Sequence, residues 1–431
     1  MELAPISFSP QYRRYTPEMS DALMRIASAL GVIQSASVLP AVADQLRASA
    51  RIGTVHYSNL IEGNELPVLE AERAARGQLD PDTRAKLELV NYVKALDLID
   101  ERLEAGGLEL SAGFLKELHG TVTLGLGRNE DRHFKPRHEG EWRDGVAVVV
   151  DRLTGTVMHQ GPPPEEVPAR MEGMFEWLEA KLRNASQPPF VLAGVMHYGI
   201  TDVHPFADGN GRVARLFQVA LLMKAGALPG RMFSFERFYA EDRGAYYAAL
   251  RSVRERTLNM ENWLHYFLAG LVEEYERVAA AVTDLSSLMH AGAVGPLQLT
   301  PSQERAIAAL RIEGRREFSR RDYEGAAGVG RSAAGADLRR LVEHGLLSPR
   351  GSGPDSRYAF SAPPSTGGGG IARGRPRKWT DARIERELRE FVAQRATWPS
   401  SDEFRAAGLG SLYAAASRSG GISRWRRVVG M

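Results

Sequence analysis

Apolar residues recur at helical spacing through most of the chain. Leu23, Ile26 and Leu30 form one stripe, and Leu87, Leu89, Val93, Leu96 and Leu98 form another. Spacings of three and four place such residues on one helix face, so residues 1–105 are predicted to be wholly helical. Val213, Leu216, Phe217, Ala220 and Leu221 predict a buried helix whose first turn follows Gly211. The period changes once before residue 290. Val146 to Val150 reads as a strand, Leu153-Thr154-Gly155 as a turn and Val157-Met158-His159 as the return strand, with Pro162 to Pro164 closing the hairpin. Gly292 to Gly295 marks a flexible break. Beyond it, Thr300-Pro301 caps a helix, Arg320 to Ala327 predicts a second, and Ser332 through Leu338, Leu341 and Val342 a third. Leu346-Leu347 and Tyr358 to Phe360 are two strands about Arg350 to Pro354.

The chemistry concentrates in His204-Pro205-Phe206-Ala207-Asp208-Gly209-Asn210-Gly211-Arg212-Val213-Ala214-Arg215. The unpaired amides of a helix start carry the positive end of its dipole and make an anion cradle. Gly209 and Gly211 let a pyrophosphate approach the backbone, and Arg212 and Arg215, one turn apart, can fork onto phosphate oxygens. Asp208 is placed to hold Mg²⁺ against those phosphates, and His204 to take a proton from an attacking hydroxyl.

This stretch resembles the signature of Fic proteins, H-x-F-x-D/E-G-N-G-R-x-x-R, at every defining position. The resemblance implies transfer of AMP from ATP to a hydroxyl side chain of a protein. It implies His204 as general base, Asp208 as Mg²⁺ ligand, Gly209, Asn210 and Gly211 as an anion nest, Arg212 and Arg215 as phosphate clamps, and Phe206 as a buried anchor. A family branch that transfers phosphate carries lysine at a motif glycine; Gly211 is intact, which favours AMP.

In His56-Tyr57-Ser58-Asn59-Leu60-Ile61-Glu62-Gly63-Asn64, Ser58 and Glu62 share one helix face and Gly63 reads as the stop. The segment resembles the inhibitory motif S/T-x-x-x-E-G/N of many Fic proteins. That resemblance implies that Glu62 pairs with Arg215 and takes the donors that would orient the terminal phosphate. The hairpin, opened by Gly140-Glu141-Trp142-Arg143, resembles the Fic flap, which implies strand addition by a target segment; a purely structural hairpin is the alternative. Tyr246-Tyr247 and Asn262 to Leu268 resemble the closing helices of the core. Tyr246 or Tyr247 is a candidate adenine contact, with a core role the ordinary alternative.

Composition narrows the setting. The 431 residues allow two to four domains, and 43% hydrophobic with 25% charged residues is ordinary for a globular protein. No apolar run reaches membrane-spanning length, and Met1 to Pro5 shows no leader pattern. With no cysteine there is no disulfide and no thiolate metal site, so a reducing cytoplasm is the expected compartment. The +2 net charge hides an asymmetry. Residues 371–431 carry 13 Arg/Lys against 6 Asp/Glu, or +7; residues 297–360 carry 11 against 8, or +3; residues 1–296 are left with −8.

The fold class is therefore mainly α. A helical N-terminal region over 1–105 carries the inhibitory helix, and a Fic-type core with one β-hairpin flap spans 106–290. Residues 297–360 resemble a winged helix-turn-helix, with Arg331, Arg339 and Arg340 near the recognition helix and Arg350 on the wing. A Gly/Ser and Arg-rich linker covers 361–378, and its run Arg373 to Lys378 resembles an AT-hook arm. A basic helical module fills 379–431, with Trp379, Trp398, Phe404 and Trp425 as landmarks. Basic charge points these C-terminal parts to DNA; a protein-binding role, or docking of the basic tail on the acidic body, is the other reading. Two functions compete: a protein adenylyltransferase held off by Glu62, which the same site could run backwards as deAMPylation, and a DNA-binding regulator that uses the Fic fold as a nucleotide-sensing scaffold. The target protein, the chain itself included, and a homodimer are left open.

Overall fold

The computed structural model describes residues 4–13, 15–36, 40–128, 135–150, 157–255, 259–290, 299–312, 317–344, 346–351, 356–360 and 381–392, with positions 398, 399, 404, 409, 412 and 425. The chain divides into two compact units, Met1–Pro363 and Pro364–Met431.

The first unit starts with extended backbone, not with the helix expected there. Pro5 and Pro10 cannot supply helical amides, and the segment pairs elsewhere. Ile6 N donates to Ala169 O at 2.9 Å and Met260 N donates to Gln11 O at 2.8 Å. Gly173 permits this approach, since a Cβ there would strike Ile6 O. Helix α1 (Pro17–Ser35) then starts under Thr16, whose hydroxyl accepts from Met19 N, and packs along the last helix of the helical body.

Helix α2 (Pro40–Ile61) is the inhibitory helix of the sequence reading and ends before Gly63, which takes φ 92°. Helices α3 (Val68–Ala75) and α4 (Arg84–Glu104) follow, α4 capped by Thr83. Helix α5 (Ala112–Thr123) packs on α4, and strands β1 (Val148–Val150) and β2 (Val157–Gln160) pair antiparallel as the predicted hairpin. The turn expected at 153–155 lies outside the described residues.

Helices α6 (Val167–Arg183), α7 (Pro189–Val203) and α8 (Asn210–Lys224) form the centre. Val213, Leu216, Phe217, Ala220 and Leu221, the predicted stripe, are fully buried, and α8 begins at Asn210, before Gly211 rather than after it. Helix α7 is apolar on nearly every side, as suits an enclosed helix, whereas the equally buried α8 also encloses Asn210, Arg212, Arg215 and Gln218. Helices α9 (Glu236–Glu241) and α10 (Arg243–Glu255) and the long α11 (Glu261–His290) close the body.

Helices α12 (Pro301–Ile312), α13 (Arg320–Ala327) and α14 (Arg331–Glu343) come next, with a sheet of β3 (Glu317–Ser319), β4 (Leu347–Arg350) and β5 (Arg357–Phe360) in the order β3-β5-β4. Thr300 and Gln303 cap α12 reciprocally, Gln303 N donating to Thr300 Oγ1 and Thr300 N to Gln303 Oε1. Strand β3 was not expected; its three residues are too few for an alternation to show. Helix α12 packs on α2 and α11. In the second unit the described helix is α15 (Asp381–Val392), and Phe404, Leu412 and Trp425 are buried. The Gly-rich break at 292–295, the linker 361–378 and most of the basic module lie outside the described residues. No helix among the described residues is long and apolar enough to cross a membrane.

Candidate active site

Helix α7 ends at His204, which takes φ 50° and ψ 58°. A left-handed turn at a residue with a Cβ is costly and needs support from its surroundings. Arg143 supplies it. Its backbone N–H donates to Pro205 O at 2.9 Å and its Nε to His204 O at 2.8 Å. Its two terminal nitrogens donate to Gly145 O at 2.7 Å and Pro162 O at 2.6 Å. One buried guanidinium thus ties both ends of the hairpin to the loop that turns the imidazole. Burial holds this arginine below its ordinary pKa.

The loop between His204 and α8 is closed by its own side chains. Phe206 is fully buried, its ring stacked on His119 at 3.8 Å between centroids and lying 4.9 Å from Trp142. Asn210 Oδ1 accepts from Phe206 N and Asn210 Nδ2 donates to Phe206 O, both at 2.9 Å. The amide side chain of Asn210 is therefore a clip, and only its backbone can serve a nest. His119 accepts from Gly140 N at Nδ1 and donates from Nε2 to Asp208 O, each at 3.0 Å. Both nitrogens are used by the neutral ring, and burial lowers its pKa to about 4.

Gly209 caps α8 at φ 75°. A Cβ on Gly211 would collide with Glu62 Oε1 and come within 3.1 Å of an Arg215 nitrogen, so this glycine makes the room in which Glu62 meets Arg215. Arg215 is only 1% exposed. Its Nε donates to Ser58 Oγ at 2.8 Å, and Nη2 to Ser58 O at 3.0 Å and Glu62 Oε1 at 2.7 Å. Burial opposes its charge, but the Glu62 carboxylate prevails and holds its pKa above the arginine range. Arg215 Nη1 and Arg212 Nε and Nη1 are buried without a hydrogen-bond partner. Buried donors left in this state are costly, and oxygen acceptors reaching the helix start would relieve them.

Burial lowers the pKa of His204 to about 4, so the ring is neutral near pH 7. Its Nδ1 lies 3.4 Å from Thr201 O, which with the proton on Nδ1 leaves the Nε2 lone pair for a hydroxyl proton. His159 on β2 donates to Asp202 O at 2.7 Å, its ring 6.3 Å from that of His204. Asp208 pairs with Arg84 at 2.9 Å and accepts from Gly209 N. Arg212 lies 3.6 Å from both Asp208 and Glu88.

Residues 204, 208–212, 215, 58 and 62 thus lie about one helix start, with Arg215 joined to Ser58 and Glu62. The adenine candidates separate. Tyr246 is buried, packed against Tyr239, with its hydroxyl 2.8 Å from His197 Nε2. Tyr247 is 36% exposed and lies beside α2, its hydroxyl 3.5 Å from Ile61 O. Sequence reasoning gave no role to Arg143, His119, Arg84, Glu88 or Asn64; each acts across long chain separations that no local pattern reveals.

A family model for "Fic/DOC family" matches residues 109–222, the span that holds His204, the glycine turn and both arginines. Residues 109–222 are a Fic/DOC family domain. The Fic domain has curated relatives. "Protein adenylyltransferase Fic" of Nematostella vectensis is 29% identical over 178 residues, 41% of this chain and 38% of that protein. Its Drosophila virilis namesake is 29% identical over 178 residues, 41% of this chain and 33% of its own. The match thus spans about a third of each relative's length. Among solved structures, a Fic family protein from Desulfovibrio desulfuricans G20 superposes with a TM-score of 0.54 at 22% identity, covering 85% of this chain and 100% of that one. A Fic domain containing signaling protein from Bacteroides thetaiotaomicron gives 0.51 at 22% identity, over 62% of this chain and 96% of the other. These two likenesses establish the Fic fold. The domain match ends seven residues after Arg215, and Glu62 lies well before its start.

Proposed function

We propose that this protein is an adenylyltransferase that moves AMP from ATP to a hydroxyl side chain of a protein and is held off by its own Glu62. One observation carries the reading. Arg215 is buried with two of its nitrogens occupied by Ser58 and Glu62, while Nη1 stays without a hydrogen-bond partner beside Gly211 at the start of α8. The curated relatives are named for the same activity.

In this account the α8 amides, Arg212 and Arg215 bind the phosphates of ATP. His204 Nε2 removes the proton of the target hydroxyl as its oxygen attacks the α-phosphorus; the bond to pyrophosphate breaks and pyrophosphate leaves. Asp208 suits Mg²⁺, a hard ion content with one carboxylate when phosphates complete its shell. The ion would neutralise phosphate charge there. Arg143 keeps His204 turned to the site, and the edge of β1, with Val146 and Val148 exposed, offers a strand for the target segment. Glu62 on Arg215 removes the donors that would set the terminal phosphates, so bound ATP lies in an unproductive pose. Tyr247 is the side chain of the tyrosine pair with ring surface open to adenine.

The β3-β5-β4 sheet and α12–α14 support a winged-helix reading of residues 297–360. Arg331, Arg339 and Arg340 stand exposed on α14 and Arg350 on β4, a cationic face suited to duplex DNA. The absence of cysteine from the sequence suits a cytoplasmic setting.

The test is direct. Glu62→Gly protein with ATP and Mg²⁺ should label itself or a protein in lysate with one adenylyl group, and Glu62→Gly/His204→Ala should not. Absence of labelling by Glu62→Gly, together with duplex binding, would leave the DNA-binding regulator as the function. Removal of AMP from a labelled protein by the wild type and not by Glu62→Gly would reverse the direction of the reaction.

A further inference from the structure

We propose that Arg84 occupies Asp208 as a surrogate for the divalent cation, so that the segment from Ser58 to Glu88 mimics an ion–nucleotide pair. This rests on the nucleotide-site reading above and deepens its regulation. A carboxylate, Glu62, takes the place of a phosphate on Arg215, and a guanidinium, Arg84, takes the place of the ion on Asp208.

The geometry is specific. Arg84 is the first residue of α4, where Thr83 caps the helix. Its Nη2 donates to Asp208 Oδ2 at 2.9 Å. The other carboxylate oxygen accepts from Gly209 N at 2.6 Å and faces Arg212 at 3.6 Å. Both oxygens that would bind an ion are therefore engaged by donors. An ion arriving with phosphates competes with Arg84 for this carboxylate, because two cations on one carboxylate repel.

The two blocking residues are joined. Asn64, two residues past Glu62, donates from Nδ2 to Ala85 O at 2.8 Å and to Glu88 Oε2 at 3.0 Å. Glu88 Oε1 lies 3.3 Å from Arg84 Nε and 3.6 Å from Arg212. The turn after the inhibitory helix is thus pinned to the first turn of α4, which carries the guanidinium on Asp208. Moving α2 far enough to free Arg215 pulls on the residues that hold Arg84. Arg84 and Asp208 are 33% and 36% exposed, so the pair is about one third in solvent and can be broken at modest cost.

The measurement is the gain in ADP affinity that saturating Mn²⁺ produces, read by calorimetry on the full-length protein without turnover. In Arg84→Gln this gain should grow about fivefold over wild type, the size of a partly exposed ion pair. Arg84→Lys should fall between the two, which guards against a folding defect in the first variant. An unchanged or smaller gain in Arg84→Gln overturns the proposal, and a loss of ADP affinity without Mn²⁺ identifies Arg84 as a phosphate ligand instead. Asp208→Asn separates the two levels. Should Asp208→Asn leave the wild-type gain intact, the reading of Asp208 as the ion's ligand fails, and the proposal with it. Should Asp208→Asn abolish the gain while Arg84→Gln leaves it unchanged, only the surrogate role falls.

Discussion

The loop from His204 to Asn210 and the turn that ends α2 both lie at the start of α8, yet they are held by different kinds of contact. The loop from His204 to Asn210 is closed by buried, fully used groups: Phe206 on His119, Asn210 on the Phe206 backbone, and Arg143 on four carbonyls. Glu62, by contrast, is 33% exposed and holds Arg215 through one carboxylate oxygen. The first set fixes a geometry that must not vary; the second can be released. A left-handed histidine is tolerable because the groups around it have no alternative partners. On the proposed function, inhibition is the part that can be lifted, because water competes for Glu62 and not for Arg143.

Removing the chemistry altogether gives the largest effect. His204→Ala in the Glu62→Gly background should slow AMP transfer about 10²–10⁴-fold, the usual weight of a general base, with ADP affinity kept. Transfer that survives would show that the rigid loop serves another purpose. Next is release: Glu62→Gly should raise transfer by at least about tenfold, since a partly exposed carboxylate on a buried arginine is worth more than a surface pair. Then comes the staple. Arg143→Met should lower kcat about tenfold to a hundredfold through misplacement of His204, while KM for ATP changes little. A KM effect alone would mean that Arg143 serves binding rather than aim.

The pH response sharpens the contrast further. Burial pushes His119 and His204 to about 4 and His197 to about 3, against an ordinary 6.5. The unfolded chain therefore takes up protons first as pH falls. The stability that these neutral rings contribute is intact above about 6.5 and declines from there toward about 4. Denaturation midpoints should drop between pH 7 and 5, and His197→Phe should flatten the drop. Over the same range the transfer rate per folded molecule should hold, because His204 stays neutral. The smallest effect is expected of Tyr247→Ala, a rise of a few-fold in KM for ATP, the size of one aromatic stacking contact.

The features that could be read from the chain were those with local spacing. The His204–Arg215 stretch, the Ser58–Glu62 face, the hairpin and the α12–α14 succession each lie within a short window. The extended segment before Thr16 was misread because its prolines were outweighed by the stripe beyond them. Arg143 was in view within the hairpin, and Asn64 within the inhibitory segment, but neither showed a partner. Arg84 meets Asp208 across 124 positions, and His119 meets it across 89. Such pairs are set by how α4 and α5 pack on α8, and no periodicity carries that information.

The most direct test of the central claim is a mutational cycle on the Arg215–Glu62 pair, read as AMP transfer from ATP labelled at the α-phosphate. Glu62→Gly should activate strongly with Arg215 present, whereas adding Glu62→Gly to Arg215→Ala should bring little or no gain. Equal activation in both backgrounds, or none in either, would contradict the account, because Glu62 would then act on something other than this arginine.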